Sequence, residues 1–497
     1  MKAHPKLTKA ERDFFALIDG AVRANPFSQQ RDDIDDKIAG HFPEMDSHHL
    51  IDGIVDGVAS RIKRLKPRTG DYITPYRGKD RQLLLSAHLF VFFHRFVDHF
   101  DRHIEQQIQA GNTPLKVLFT KEALRYLAHR GFTDAESKHY FELSFQVRRA
   151  YYFIAQNLAG CCASMIELRR KLWNNVFTHN IDLYNRYLWN RMEDFSTLLL
   201  GETGTGKGTA ASAIGRSGYI PFDVDKQRFV ESFTSAFQSI NLSQFSTALI
   251  ESELFGHRKG SFTGAVDDYE GVLDRCSVHG AILLDEIGEV SEPIQIKLLK
   301  VLQERTFTPV GSHTEHRFKG RVIAATNRSL KELRDPVKMR QDFYYRLCSD
   351  IISISPLRQR IREDSRELTI LLDLTVQRIT GVKSPELVKM VFQVIDQDLE
   401  PDYQWPGNVR ELEQCVRGIL LNRHYTPHAI ETIDGSRSKL TEGLKQGTLD
   451  AKGIISGYCY VLYKKWGTYE AVARQTNLDR RTVKKHIQHW SRNYIKQ

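Results

Sequence analysis

The chain has 497 residues, 41% hydrophobic and 27% charged, with 71 Lys+Arg against 61 Asp+Glu for a net charge of +10. That length suits about three soluble domains and that balance suits globular folding. The basic excess permits a nucleic-acid partner without requiring one. The start, Met1 to Lys9, holds no apolar core of a signal peptide, and the run Leu83 to Phe93 is broken by Ser86 and His88. It falls short of the ~20 apolar residues of a membrane span. Six scattered cysteines without CxxC spacing read as reduced thiols, so a cytoplasmic protein is expected.

Residues 1–180 read as a helical domain, rich in Leu, Phe, Arg and Gln and without strand alternation. His99 and His103 are spaced as metal ligands on a helix, but among Phe and Asp they read first as core or solvated histidines. From Ser196 short apolar runs alternate with helical segments, as in a parallel α/β sheet: Thr197–Leu200, Ala281–Leu284 and Arg321–Ala325. Gly201, Glu202, Thr203, Gly204, Thr205, Gly206 and Lys207 follow the first run, and Gly208 and Thr209 open a helix. A bare GxxxxGK pattern is weak evidence. Between a strand and a helix it reads as a P-loop, whose backbone N–H groups cradle phosphates while Lys207 reaches the β/γ oxygens. Gly208 stands where many P-loops place a hydroxyl on Mg²⁺. The apolar run ending in Asp285 and Glu286 supplies the complementary half: Asp285 to hold Mg²⁺ and Glu286 to orient the water that attacks ATP.

Between these motifs, Gly260, Ser261, Phe262, Thr263, Gly264 and Ala265 form a glycine-flanked segment with one aromatic, suited to a contact loop. Around Pro356 strands give way to a helical stretch ending near His424, and residues 426–452 are polar and read as a linker. The tail from Val461 carries nine basic residues against Glu470 and Asp479. Within it, Tyr469–Thr476, a turn at Asn477 and a second helix capped by Asp479 have helix-turn-helix form. Val472, Leu478, Val483 and Ile487 point inward, leaving Arg480, Arg481, Thr482, Lys484 and Lys485 for duplex DNA.

The segment Glu251–Ala265 closely resembles the signature of the sigma-54-dependent transcriptional activators, bacterial enhancer-binding proteins of the AAA+ class with a Fis-type helix-turn-helix. The resemblance covers roughly residues 196–424. It implies a multidomain chain: a helical N-terminal domain (1–180) for signal input, an α/β AAA+ P-loop subdomain (181–355), a helical lid (356–425), the linker (426–452) and a DNA-binding domain (453–497). It assigns Gly260–Ala265 to contact with sigma-54, with Ser261 replacing the usual Ala. Asn241 matches the asparagine that pairs with the Walker B glutamate, here preceded by an insertion near Asp223 to Phe237. Asn327 resembles sensor I, Arg340 and Arg346 the arginine fingers that act on a neighbouring subunit, and Arg410 the sensor II residue. Family members usually carry Glu after the P-loop lysine, so the departure at Gly208 is of small consequence.

The resemblance therefore implies an ATP- and Mg²⁺-dependent homo-oligomer, a hexamer when active. It would remodel sigma-54 RNA polymerase holoenzyme for open-complex formation, with no membrane association. Two alternatives stand beside it: an AAA+ remodeller of another protein target, and a DNA-binding regulator that uses the AAA+ fold as an oligomerisation scaffold.

Overall fold

A computed structural model describes residues 4–41, 50–65, 72–427 and 433–495. The chain divides into two compact units, Met1–Arg423 and His424–Gln497.

The first unit opens with seven helices: α1 (Lys9–Arg23), α2 (Gln29–Ala39), α3 (Leu50–Arg64), α4 (Gly78–Ala110), α5 (Thr120–Ala128), α6 (Asp134–Asn157) and α7 (Ala163–Phe177). Two of their starts are written in the local sequence. Thr8 with Glu11, and Thr133 with Glu136, form reciprocal capping boxes at α1 and α6. After β1 (Thr197–Leu200) come the P-loop helix α8 (Lys207–Gly215), a small hairpin β2 (Phe222–Asp223) and β3 (Arg228–Phe229), then β4 (Phe237–Asn241) and α9 (Thr247–Phe255). β5 (Ala281–Asp285), α10 (Glu292–Glu304), a hairpin β6 (Thr306–Phe307) and β7 (His316–Arg317), β8 (Arg321–Thr326), α11 (Gln341–Leu347) and β9 (Asp350–Ser353) complete the α/β part. Four helices follow: α12 (Leu357–Glu363), α13 (Arg366–Thr380), α14 (Pro385–Asp398) and α15 (Asn408–Asn422).

The five long strands form one parallel sheet in the order β4-β5-β8-β1-β9. The three expected apolar runs are its centre. Their side chains alternate between two cores, as the period of two in a strand demands. Leu198, Leu200, Ile282, Leu284, Val322 and Ala324 enter one core with Phe255, Leu298 and Phe343. Leu199, Leu283, Ile323 and Ala325 enter the other, which is continuous with the N-terminal helices through Phe100, Phe141, Phe145 and Phe177. Residue 180, expected as a domain boundary, is therefore not a break in packing. α7 lies against β9, the P-loop helix and α12, because its apolar face finds its complement on the sheet.

The β2-β3 hairpin lies where the insertion near Asp223–Phe237 is expected. Phe222 and Phe229 bury against the N-terminal aromatics, with Phe145 and Phe229 stacked at 4.3 Å and Phe141 to Phe222 at 5.0 Å. The backbone N–H of Val117 donates to Gln227 O at 2.8 Å.

The second unit contains α16 (Ile433–Gln446), α17 (Ala451–Trp466), α18 (Tyr469–Thr476) and α19 (Arg480–Trp490). The expected linker 426–452 thus holds a helix. Leu440 on that helix and Leu449 after it pack on the unit's core, which polar composition alone concealed. Residues 428–432 of that linker lie outside the described residues.

Candidate functional site

The P-loop turns on two glycines whose backbones other residues rarely adopt. Gly204 has φ +81° and Gly206 φ +101°. A Cβ on Gly204 would lie 2.2 Å from Gly407 O, so helix α15 also needs the bare backbone there. The backbone N–H of Val409 donates to Gly204 O at 3.1 Å, tying the start of α15 to the loop. Lys207, the first residue of α8, is buried, and its Nζ donates to Gly201 O at 2.8 Å and Glu202 O at 3.2 Å. Burial pulls its pKa below the ordinary lysine value, partly offset by Glu286 and Asp285.

The register of the sheet brings Asn241 beside Asp285 at the C-terminal ends of β4 and β5. Glu286 follows in the left-handed region, φ +56° and ψ +44°. A non-glycine residue held there carries local strain of the kind concentrated at functional sites. Its Oε2 accepts the backbone N–H of Asn327 at 3.3 Å, and Asn327 Nδ2 donates to Thr203 Oγ1 at 3.3 Å. The carboxylate, the P-loop and the end of β8 are thus linked through one asparagine. The pairing of Asn241 with Glu286 that the resemblance implies is not among the hydrogen bonds of the described residues, where Asn241 makes a local contact. Asn241 Oδ1 accepts from Ser243 N at 3.0 Å and Ser243 Oγ at 2.8 Å, capping a short turn. This local Asx contact uses the amide oxygen; a bond to the Glu286 carboxylate would be donated by Nδ2.

Lys207, Gly208, Thr209, Asn241, Asp285, Glu286 and Arg410 line one cavity of about 810 Å³. Three features of this cavity were missed from sequence. One wall comes from Leu158, just after α6, and Met165 and Leu168 on α7, an apolar surface suited to a planar base. Glu202, expected only as part of the phosphate loop, accepts from Arg358 Nη1 at 2.7 Å and Asn408 Nδ2 at 3.2 Å. Arg358 and Asn408 therefore anchor the loop to the lid helices. Finally, the buried pair Arg360 and Glu367 joins α12 to α13, and Glu367 Oε2 accepts the backbone N–H of Cys161 at 2.8 Å.

Arg340 and Arg346 do not line this cavity. Arg340 pairs with Asp342 at 2.9 Å and Glu292 at 3.0 Å on the surface, and Arg346 Nε donates to Leu302 O at 2.9 Å. The loop Gly260–Ala265 is a closed turn, with Gly260 N donating to Ala265 O at 2.8 Å and Ala265 N to Phe262 O at 3.0 Å. Gly260 and Gly264 both have positive φ. Phe262 and Thr263 are exposed, and Phe262 meets His257 edge-on at 4.9 Å.

In the second unit Asn477 adopts the left-handed conformation between α18 and α19, and Asp479 caps α19 through Arg481 N and Thr482 N. Val472, Val483 and Ile487 are buried with Trp490. Arg481, Lys484 and Lys485 are exposed on one helix, whereas Arg480 pairs with Glu470 at 2.9 Å and the Thr482 hydroxyl donates to Asp479.

A parallel sheet in this order, a P-loop at the end of β1, paired carboxylates at the end of β5 and helices laid over the loop define an AAA+ P-loop nucleotide-binding fold. Residues 178–353 match the family model of the sigma-54 interaction domain. The nitrogen fixation protein VnfA of Azotobacter vinelandii is 36% identical over 258 residues, 50% of this chain and 46% of that protein. The DNA-binding transcriptional regulator NtrC of Azospirillum brasilense is 38% identical over 226 residues, 46% and 43% of the two chains. The chain thus spans about half the length of the curated relatives it matches. NtrX from Brucella abortus in complex with ATP aligns over 74% of this chain and 79% of its own, at 16% identity and a TM-score of 0.40.

Proposed function

We propose that the chain is an ATPase that, as a ring, remodels sigma-54 RNA polymerase holoenzyme for open-complex formation while bound to DNA. The observation that carries the reading is the gathering of Lys207, Asp285, Glu286 and Arg410 in one cavity beneath the lid. Backbone N–H groups of the P-loop and the start of α8 hold the phosphates, and Lys207 neutralises their charge. Glu286, steadied by the Asn327 N–H, orients and deprotonates the attacking water. Leu158, Met165 and Leu168 accept the base.

Asp285, at the end of β5 in the same cavity as the P-loop, would hold Mg²⁺ together with nucleotide phosphates, since Mg²⁺ takes few protein oxygens and keeps waters. Bound there, it would draw charge from the β and γ oxygens.

Arg340 and Arg346, lying away from their own chain's cavity, serve a neighbouring subunit's γ-phosphate. Phe262 and Thr263 present the nucleotide state to sigma-54. Arg481, Lys484 and Lys485 lie along DNA.

The test is Glu286→Gln. It should retain ATP binding by fluorescent-nucleotide titration and lose at least 100-fold in steady-state turnover. Near-normal turnover in that variant would remove Glu286 and the reading with it.

A further inference from the structure

A second cavity, of about 710 Å³, lies at the opposite end of the sheet from the nucleotide site. Its walls come from α6, the connector 184–194, the end of α8 and the strand starts at Ala281 and Arg321. We infer that this cavity is a binding site for a small aromatic anion and that its occupancy regulates the motor. The volume falls in the usual small-molecule range.

The aromatic side is built and held. Trp189 and Tyr219 meet edge-on at 4.6 Å. The Tyr219 hydroxyl donates to Glu142, and burial together with that carboxylate raises its pKa, so the phenol stays neutral. Tyr184 is buried, and its hydroxyl exchanges hydrogen bonds with Gln146 at 2.7 and 3.0 Å. Rings fixed in this way present π-faces without loss of rotamer freedom on binding.

The charge is positive. Arg305, Arg317, Lys319 and Arg321 line the cavity against Glu193 and Asp194. Arg305 pairs with Asp194 at 3.2 Å, yet its Nε is buried without a partner among the described residues. Arg321 is buried and donates to the neutral oxygens of Phe195, Asn175 and Thr197. Arg317 and Lys319 are exposed at the mouth and have no carboxylate partner among the described residues. Burial lowers the pKa of His279, leaving it neutral at pH 7. An anion is the complement of this wall.

The route to the motor is short. α8 begins at Lys207 in the nucleotide cavity and ends at Ile214 and Gly215 in this one. β5 begins here at Ala281 and ends there at Asp285. Each element spans about 13 Å, so one helix and one strand have an end in both sites. A ligand that braces their near ends changes the setting of Lys207 and Asp285, and the coupling is reciprocal. This regulatory half rests on the ATPase reading; the binding half does not.

The probe is 8-anilinonaphthalene-1-sulfonate, titrated into the full chain without nucleotide. Expected is one saturable site. It should be lost in Val278→Trp, which fills the mouth from a half-exposed position. It should weaken at least tenfold in Arg317→Glu/Lys319→Glu, whose surface positions leave folding intact, with circular dichroism as the check. The neutral dye N-phenyl-1-naphthylamine should bind at least tenfold more weakly. Absent saturation, binding indifferent to these variants, or equal binding of the neutral dye overturns the site. Saturating dye should then shift the affinity for a fluorescent ADP at least twofold, and an unchanged affinity overturns the coupling while leaving the site.

Discussion

Replacing Glu367 by Gln changes one buried charge and almost no volume. Glu367 is fully buried, and its partner Arg360 is 3% exposed. Arg360 Nε donates to Glu367 Oε1 at 2.6 Å, and Arg360 Nη2 donates to Ala159 O at 2.8 Å. On its other side Glu367 receives the N–H groups of Cys161 and Cys162 at 2.8 and 3.4 Å. The amide would keep one acceptor and leave the guanidinium buried without an anion. Removing one partner of a buried pair costs about 3–5 kcal/mol. For the 423-residue unit, an unfolding entropy of ~2.1 cal/mol/K per residue gives about 0.9 kcal/mol/K, so the loss amounts to roughly 3–6 °C. Because the network pins the segment that walls the nucleotide cavity, ATP affinity should fall with stability. Differential scanning calorimetry and fluorescent-nucleotide titration read both. The double variant Arg360→Met/Glu367→Leu should recover part of the stability, since an apolar pair leaves no orphaned charge but strips the Cys161 and Cys162 N–H groups and Ala159 O of their partners. A single-variant loss below about 1 kcal/mol, or a double variant worse than the single, would refute the argument that charge burial decides the effect.

Four other outcomes are expected. Thr263→Ala should leave folding and ATPase activity within about twofold, because it trims an exposed loop side chain. It should abolish open-complex formation with sigma-54 polymerase, and unchanged transcription would dissociate the loop from output. Mixing Arg346→Ala with Lys207→Ala chains should restore some ATPase activity, since one mixed interface keeps both halves; mixed rings without any recovery argue against action in trans. His103 is buried against Phe145 and Phe229, with Arg149 nearby, and its pKa is lowered to about 4. Its folded pKa lies below the unfolded value, so its contribution is complete above pH ~6.5 and declines by up to about 1.4 kcal/mol per pH unit as pH falls toward 4. Urea titrations at pH 7.5 and 5.5 should show this loss diminished in His103→Gln, and equal losses would assign it elsewhere. Finally, duplex binding by the full chain should fall steeply with salt, and Arg481→Ala should weaken specific sites more than random DNA. Salt-independent binding would count against a phosphate-lined surface.

The parts legible in the sequence are those whose physics is local. A P-loop is a strand, a run of glycines and a helix start, all within about a dozen residues, and Gly204 and Gly206 take the positive φ that their chemistry permits. The Asp285–Glu286 pair ends an apolar run that could only be a buried strand. Asn477 and Asp479 specify a turn and a cap through contacts two or three residues away. Asn241, whose pairing with Glu286 only the resemblance implies, caps its own turn through Ser243 two residues away.

What only the tertiary structure decided involves partners far apart in sequence. Cys161 finds Glu367 some 206 positions on, and Glu202 finds Arg358 across 156. Neither pairing leaves a periodic or spacing signal, because a charge on a helix reads as solvated until another element covers it. The same holds for the boundary at residue 180. The apolar faces of α7 and of the β2-β3 hairpin announce that they must be buried, but only the sheet and the aromatic cluster of α4 and α6 determine against what. Hydrophobic burial is non-directional, so the sequence states that such a face will be covered and the fold selects the cover.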